Sequence, residues 1–404
     1  MRAPEADRIA APSWRWAIRR NLVRGPWPVI LVVLGAILAA HVLLRPTWWR
    51  YEWFWAWYQY QFSTILVGPV VAGIASVWGA SWSKARGSIE PSGRVGPTLV
   101  AALVALAVPI TLVYLLGLAG VSVVVARTTG SAPDAATLGT VFPALALLLA
   151  CAAVGLGAGY RSGVRSLAPV WTLGVFALLM ATYTAFPDRF GKVGGATASL
   201  VGLRTRPVVE LGQVFEFTGI AIVAIALAGL GRRSRGGLAG LAAGVVVAGL
   251  GIAVLVPAGS NEFEARPVHL ACRGSGPTIC LADGWTAAEP ELRAILGRYD
   301  RALVAAGLPR FRTYTQAYPA PRGQVPFDPV FVLRYGPEGP ADGLVINQWL
   351  PDDCLRWTDV MSASVETLEG YLQRAWAADG RLAVPEAEQA RLAAALDVVR
   401  TCDG

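Results

Sequence analysis

The run TLVAALVALAVPITLVYLLGL, residues 98–118, contains no charged side chain. A helix rises about 1.5 Å per residue, so a run of this length covers the ~30 Å hydrocarbon core of a bilayer. Six more apolar blocks flank it, at about 28–44, 63–81, 138–158, 168–186, 214–231 and 238–257. The chain as a whole, 404 residues, is 54% hydrophobic and only 15% charged, with mean hydropathy +0.49. That lies outside the usual composition of soluble domains and predicts a polytopic α-helical membrane protein with seven spans. The block at 98–118 continues apolar to Ala126 and holds Pro109. It is therefore expected to tilt, to kink, or to end in an extra outer helix.

The formal net charge is +8, but the basic residues are scattered between apolar blocks rather than gathered in a run. No RNA-binding signature accompanies them, so nucleic acid is not an expected partner. Their placement is topological instead. The N-terminus carries Arg2, Arg8, Arg15, Arg19, Arg20 and Arg24, and alternate connections carry Lys84, Arg86 and Arg94, then Arg161 and Arg165, then Arg232, Arg233 and Arg235. Arg- and Lys-rich short loops stay cytoplasmic, so seven spans put the N-terminus inside and the C-terminus outside a bacterial plasma membrane. The connection 187–213, with Arg189, Lys192, Arg204 and Arg206, fits this alternation least well. The expected division is a cytoplasmic N-terminus over 1–27, a transmembrane domain over 28–257 and an extracytoplasmic domain over 258–404.

Within the N-terminus, SWRWAIRRNLVR places Trp14, Ala17, Ile18 and Leu22 on one helical stripe with arginines around the rest. This predicts a helix lying on the inner membrane surface. The charged stretch before Trp27 is long and no A-x-A site follows the first apolar run, so the N-terminus is expected to stay attached. On the far side of the first span comes WWRYEWFWAWYQYQF, residues 48–62, with aromatic rings at ten of fifteen positions. Rings with polar edges favour the water–lipid boundary, which predicts an aromatic belt. The same rings could stack on a sugar, and the block also reads as the outer third of a long second helix.

After residue 257 the composition changes: residues 258–404 hold 14 Arg against 19 Asp plus Glu, a net charge of −5. A stretch of this length can build its own core. PVFVLRY and GLVINQWL read as strands, while ELRAILGRYDRALVAAG, SVETLEGYLQRAWAA and EAEQARLAAALDVVR read as amphipathic helices, so a small α+β domain is expected. Four of the five cysteines lie here, Cys272, Cys280, Cys354 and Cys402. Three pairings are possible; Cys272–Cys280 with Cys354–Cys402 is favoured, because CRGSGPTIC has the Gly, Ser and Pro of a tight turn. Zinc is the rival reading, but no C-x-x-C occurs and His269 is the one histidine nearby. No metal is therefore expected. Cys151, inside the fourth span, reads as core packing.

Chemistry has little to stand on. The chain has two histidines, His41 and His269, and no H-E-x-x-H, G-x-S-x-G or phosphate-loop motif. No cofactor and no catalytic residue are expected. Asp352 and Asp353, beside Cys354, read either as a cation site or as a solvated turn. Inside the spans the acid that qualifies as functional is Glu216, since a charge at a helix centre costs about 2.5–3.5 kcal/mol on insertion. Glu216 is a candidate for a transport path, although it reads as close enough to the outer end of its span to snorkel. Glu210 precedes it without sharing its face cleanly.

The layout resembles the membrane subunit of ATP-binding-cassette exporters of the second permease type. The resemblance covers roughly residues 10–257. It rests on the surface stripe at 13–25, the short connection WSKARGSIEPSGRVG at 82–96 and the longer connection FPDRFGKVGGATASLVGLRTRPVVELGQ at 186–213. SVWGASWSKARGSIEPSGRVGPTLVAAL also resembles the small-residue, tryptophan and arginine pattern of actinobacterial relatives. The resemblance implies a six-helix permease bundle that pairs as a homodimer or with a second permease. It also implies a separate ATP-binding-cassette ATPase docking on Trp82, Lys84, Arg86 and Arg94. A seventh span leading to a cysteine-bearing outer domain departs from that pattern. Two other classes therefore stand beside a permease: a noncatalytic sensor or assembly protein whose outer domain binds a partner or envelope ligand, and a membrane enzyme with its site in that domain.

Overall fold

The computed structural model describes residues 25–44, 47–84, 95–185, 193–195, 199–230, 235–258, 262–274, 277–317, 324–335, 346, 349 and 358–401. The apolar blocks form α1 (Trp27–Leu43), α3 (Thr64–Ser83), α4 (Val95–Thr129), α6 (Val141–Ser162), α7 (Ala168–Ala185), α8 (Pro207–Gly229) and α9 (Arg235–Leu255). The aromatic block forms a 3-10 turn (Thr47–Tyr51) and α2 (Trp53–Gln61), and a short α5 (Ala135–Gly139) precedes α6. Among the described residues six helices are long and apolar enough to cross a membrane, counting α2 with α3 and α5 with α6. The first expected span, α1, is apolar but has 17 residues, about 26 Å at 1.5 Å per residue and a little short of the hydrocarbon core. Pro109 lies within α4 without ending it, and α4 runs unbroken for 35 residues.

The bundle packs through small residues. A Cβ built on Gly155 or Gly159 of α6 would overlap the carbonyl of Ala72 or Ser76 on α3, and one on Gly79 of α3 would overlap the Leu156 carbonyl. Each helix thus lays its backbone directly on the other. The α8–α9 pair uses the same device, with Gly219 against Ala248 and Gly251 against the backbone of Glu216. Between lipid-exposed helices apolar side chains gain nothing from leaving water, so close van der Waals approach supplies the cohesion. Cys151 is buried and free, and its sulfur faces Gly68 across the α3–α6 contact, so it serves packing as expected.

Helices α2–α3 and α4 are both longer than a bilayer needs. Trp53–Ser83 counts 31 residues, about 46 Å of helix, while α3 alone supplies the ~30 Å of the hydrocarbon core. The excess of α2 and the far end of α4 stand side by side: Trp57 Nε1 donates to Ser122 Oγ (3.0 Å), Trp53 Nε1 to Ser131 Oγ (3.0 Å), and Tyr60 Oη to the Tyr114 carbonyl (2.8 Å). The aromatic block is therefore the extension of the second long helix. It is not a lipid-facing belt, because Trp49, Tyr51, Phe54, Trp55, Trp57, Tyr58 and Tyr60 are all buried inside the protein.

Residues from 262 onward form the small sheet-containing region. Strand β1 (Leu203–Thr205), in the connection before α8, pairs antiparallel with β2 (Phe263–Ala265), just after the last long helix. A second sheet has the order β3 (Leu270–Arg273), β4 (Thr278–Ala282), β5 (Thr313–Thr315), β6 (Val325–Pro326). Its first pair is antiparallel and the next two are parallel. Helices α10 (Glu289–Ala305), α12 (Asp359–Ala377) and α13 (Glu386–Thr401) fall where their amphipathic pattern predicts, and bury Leu292, Leu296, Leu303, Leu368, Leu372 and Val399. Cys272 and Cys280 stand opposite each other on β3 and β4 and form a disulfide. Cys354 and Cys402 lie outside the described residues.

PVFVLRY, read from sequence as a strand, is instead a helix, α11 (Pro329–Tyr335). The reason is local. The Asp328 carboxylate accepts from the Val330 backbone N–H (2.8 Å) and its carbonyl from that of Val332 (3.1 Å), so Asp328 caps a helix that begins on Pro329. GLVINQWL lies almost wholly outside the described residues. For the bundle, Gly155→Val should abolish a monodisperse folded protein in detergent size exclusion. Gly174→Ala, at a glycine with nothing within 4 Å, should leave the profile and melting temperature unchanged.

Candidate functional site

The aromatic block ends in a junction between bundle and C-terminal region, and one acid lies at its centre. Glu52 occupies the N-cap position of α2, with extended backbone, and its carbonyl accepts from Ala56 N–H (2.9 Å). Its side chain does not cap its own helix. It turns outward, where Oε1 accepts from the Leu200 backbone N–H (2.9 Å) and Oε2 from Ser199 Oγ (2.7 Å) and Trp285 Nε1 (3.4 Å). Three donors from two distant segments thus converge on a carboxylate that is 8% exposed.

Trp285, in the 3-10 helix Asp283–Ala288, is wholly buried. Its ring lies 5.0 Å from that of Tyr51 and stacks at 6.4 Å on Trp55. The preceding Gly284 makes this insertion possible, since a Cβ there would run into the Tyr51 carbonyl and crowd Thr129 at the end of α4. A second plug is Phe263 of β2, which meets Phe54 and Tyr58 edge to face. Tyr58 Oη donates a short hydrogen bond to Glu262, and the Glu262 carbonyl accepts from Arg206 N–H (3.0 Å). Gly195, at positive φ, brings its N–H to the Tyr58 carbonyl (3.1 Å) and ties the 193–195 segment to the end of α2.

Beside Glu52 a cleft of about 270 Å³ opens, lined by Ser199, Val201 and Leu203 from the α7–α8 connection and by Gln316, Phe327 and Asp328 from the C-terminal region. Gln316 is held by Ala282 N–H on its Oε1 (2.9 Å) and reaches Ser199 Oγ with its Nε2 (3.4 Å). The Ser199 backbone N–H donates to Asp328 Oδ2 (3.4 Å). Ser199 therefore joins two carboxyls, one buried beneath the cleft and one in its wall. Burial pushes the Glu52 carboxyl up to about 7, with its three donors opposing and the charge of Asp328 adding to the rise. Burial also raises Asp328, against the backbone N–H groups that favour its charge.

The residues singled out from sequence lie elsewhere. Trp82 is half-buried at the end of α3, and Lys84 is exposed just beyond it. Arg161 and Arg165 stand at the same end, bonded to the Leu230 carbonyl (2.9 Å) and Ser81 Oγ (3.0 Å), on the side away from the junction. Arg86, Arg94, Trp14, Ile18, Leu22, Asp352 and Asp353 lie outside the described residues. Glu216 is not at a helix end: α8 begins at Pro207, which places Glu216 about two and a half turns inside. It is 9% exposed, so it does not snorkel, and its Oε2 has no hydrogen-bond partner among the described residues. Glu210 binds Thr205 and does not join it.

Sequence reasoning missed Glu52, Ser199, Trp285, Gln316 and Asp328. The one available signal was Glu52 itself, the sole acid in the aromatic block. Among the described residues no three His, Cys, Asp or Glu side chains gather as a metal-binding group. No family model, curated protein or solved structure matches the chain. Trp285→Ala should destabilise the junction by about 3–5 kcal/mol, the cost of emptying a large buried aromatic site. Trp285→Phe should recover much of that loss while still lacking the indole donor. Thermal unfolding of the detergent-purified protein, followed with limited proteolysis, checks both.

Proposed function

We propose that this chain is a noncatalytic multi-pass membrane protein whose C-terminal region binds a partner or envelope ligand and passes occupancy into the helix bundle. The supporting observation is the cleft whose walls come from both parts, Ser199–Leu203 from the bundle and Gln316–Asp328 from the C-terminal region. An occupant there touches both at once, and Ser199 connects it directly to Glu52 at the head of α2. In this reading the C-terminal region is extracytoplasmic, and the end bearing Lys84, Arg161 and Arg165 faces the cytoplasm of a bacterial cell, as the charge bias favours. Ala317→Trp fills the cleft from its rim. Native mass spectrometry of the protein purified in mild detergent should find a retained small molecule or peptide on the wild type and none on the variant. Identical spectra would overturn the reading.

A second reading, a permease subunit energised by a separate ATP-binding-cassette ATPase, is favoured by Glu216. Its carboxyl lies well inside α8, and its Oε2 has no partner among the described residues; acids within spans are costly and mark transport paths. Mild-detergent purification from the native cell should then recover a stoichiometric ATPase with vanadate-sensitive hydrolysis. Charge reversal at Arg86 and Arg94 should release that subunit. Recovery without ATPase activity would remove the permease reading and leave the binding one.

A further inference from the structure

The junction is a contact between two separately built parts, and its polar centre is a single ionisable side chain. The carboxyl of Glu52, part of the α2 helix, is met by Ser199 and Leu200 of the α7–α8 connection and by Trp285 of the C-terminal region. Ser199 and Leu200 reach Glu52 from the bundle itself, while the Trp285 contact exists only while the C-terminal region is docked. Undocking would expose Glu52, Trp285, Tyr51 and Trp55 to water together. We propose that Glu52 is a proton-operated latch: the C-terminal region docks tightly on the bundle while this carboxyl is protonated and loosens when it ionises.

The charged groups around Glu52 leave it without a counter-ion among the described residues. From the preceding turn, Arg50 donates to Tyr51 Oη (2.8 Å) and lies over that ring at 4.9 Å, so its guanidinium is engaged there. On the 3-10 helix of Trp285, Asp283 pairs with His269 at 3.6 Å. On the linker, Glu262 takes the Tyr58 hydroxyl. From the cleft wall, Asp328 shares Ser199 with Glu52 and carries the same sign of charge. Two ionised carboxylates joined through one serine repel in a medium that screens poorly, and protonating one relieves this.

The direction of the pH effect follows from linkage. Burial in the docked structure holds the Glu52 carboxyl up at about 7, and loss of the covering Trp285 and of the like charge of Asp328 on undocking lets it fall back toward its ordinary 4.5. Between those values the docked state holds a proton that the undocked state has released. Docking is therefore fully supported below about 4.5 and weakens progressively as pH rises through about 7. Glu52 precedes the long apolar helix Trp53–Ser83 rather than lying in it. The inference concerns the docking contact alone and stands whether or not the neighbouring cleft takes a ligand.

Hydrogen–deuterium exchange of the full chain in lipid nanodiscs at about pH 5.5 and about pH 8.5, corrected for intrinsic rates, tests the latch. Peptides covering 51–62 and 278–288 should exchange several-fold faster at the higher pH in the wild type. Glu52→Gln, which keeps the shape and removes the ionisation, should exchange equally at both. Equal protection at both pH values in the wild type, or an undiminished pH difference in the variant, would overturn the latch. Should the Gln variant not fold, Asp328→Asn keeps a capping side chain and removes the like charge. Its exchange midpoint should move to lower pH than the wild type's, and an unmoved midpoint would overturn the proposal.

Discussion

The burial of Trp285 between Tyr51 and Trp55, over the carboxyl of Glu52, is the contact through which the two halves of this molecule know each other's position. Beside it, the C-terminal region is held by the β1–β2 pairing, by Phe263 against Phe54 and Tyr58, and by Gln316 and Asp328 on Ser199. Trp285 itself is a rigid aromatic plug that enters a socket built by the head of α2, the end of α4 and the α7–α8 connection. Aromatic rings suit this role because each buries a large area while fixing few torsions, and because Tyr and Trp keep a polar edge for hydrogen bonding. The socket uses that edge repeatedly: Trp53, Trp57, Tyr58 and Tyr60 each donate to a partner outside α2.

The bundle below is held by a different physics. In lipid, exclusion of apolar side chains from water gives no preference for one helix neighbour over another. What remains is the closeness of backbone to backbone, and glycine, alanine and serine supply it along α3–α6 and α8–α9. The two regimes meet where α2 packs beside the far end of α4. There the spacing of small residues gives way to stacked rings and explicit hydrogen bonds, because water competes for every polar group that is not paired.

A binding role and a proton-sensitive contact fit the same piece of geometry. Ser199 is its pivot: its hydroxyl serves Glu52 and receives from Gln316, while its backbone N–H serves Asp328. An occupant of the cleft that displaced Gln316 or drew on Asp328 would alter the field at Glu52 and the fit of Trp285. Glu216 stands apart from this arrangement, within α8, and belongs to the bundle's own chemistry.

Much of the architecture was legible in the sequence, because hydrophobic length and amphipathic period are one-dimensional signals. The apolar helices, the helical reading of α10, α12 and α13, and the Cys272–Cys280 bridge all follow from local pattern. The aromatic block shows where such reasoning stops. Its composition suits a lipid boundary and a protein socket equally, and only the three-dimensional approach of Trp285 and Phe263 decides for the socket. PVFVLRY reads as a strand because its apolar run resembles a buried one, while Asp328, whose side chain caps the helix, lies one residue before it. Glu52, Ser199, Gln316 and Asp328 are separated by up to 276 positions and share no motif. The sequence by itself determined where the long apolar helices of the bundle lie. The tertiary structure alone decided which polar groups are buried together, since desolvation and charge coupling depend on distance in space and not along the chain.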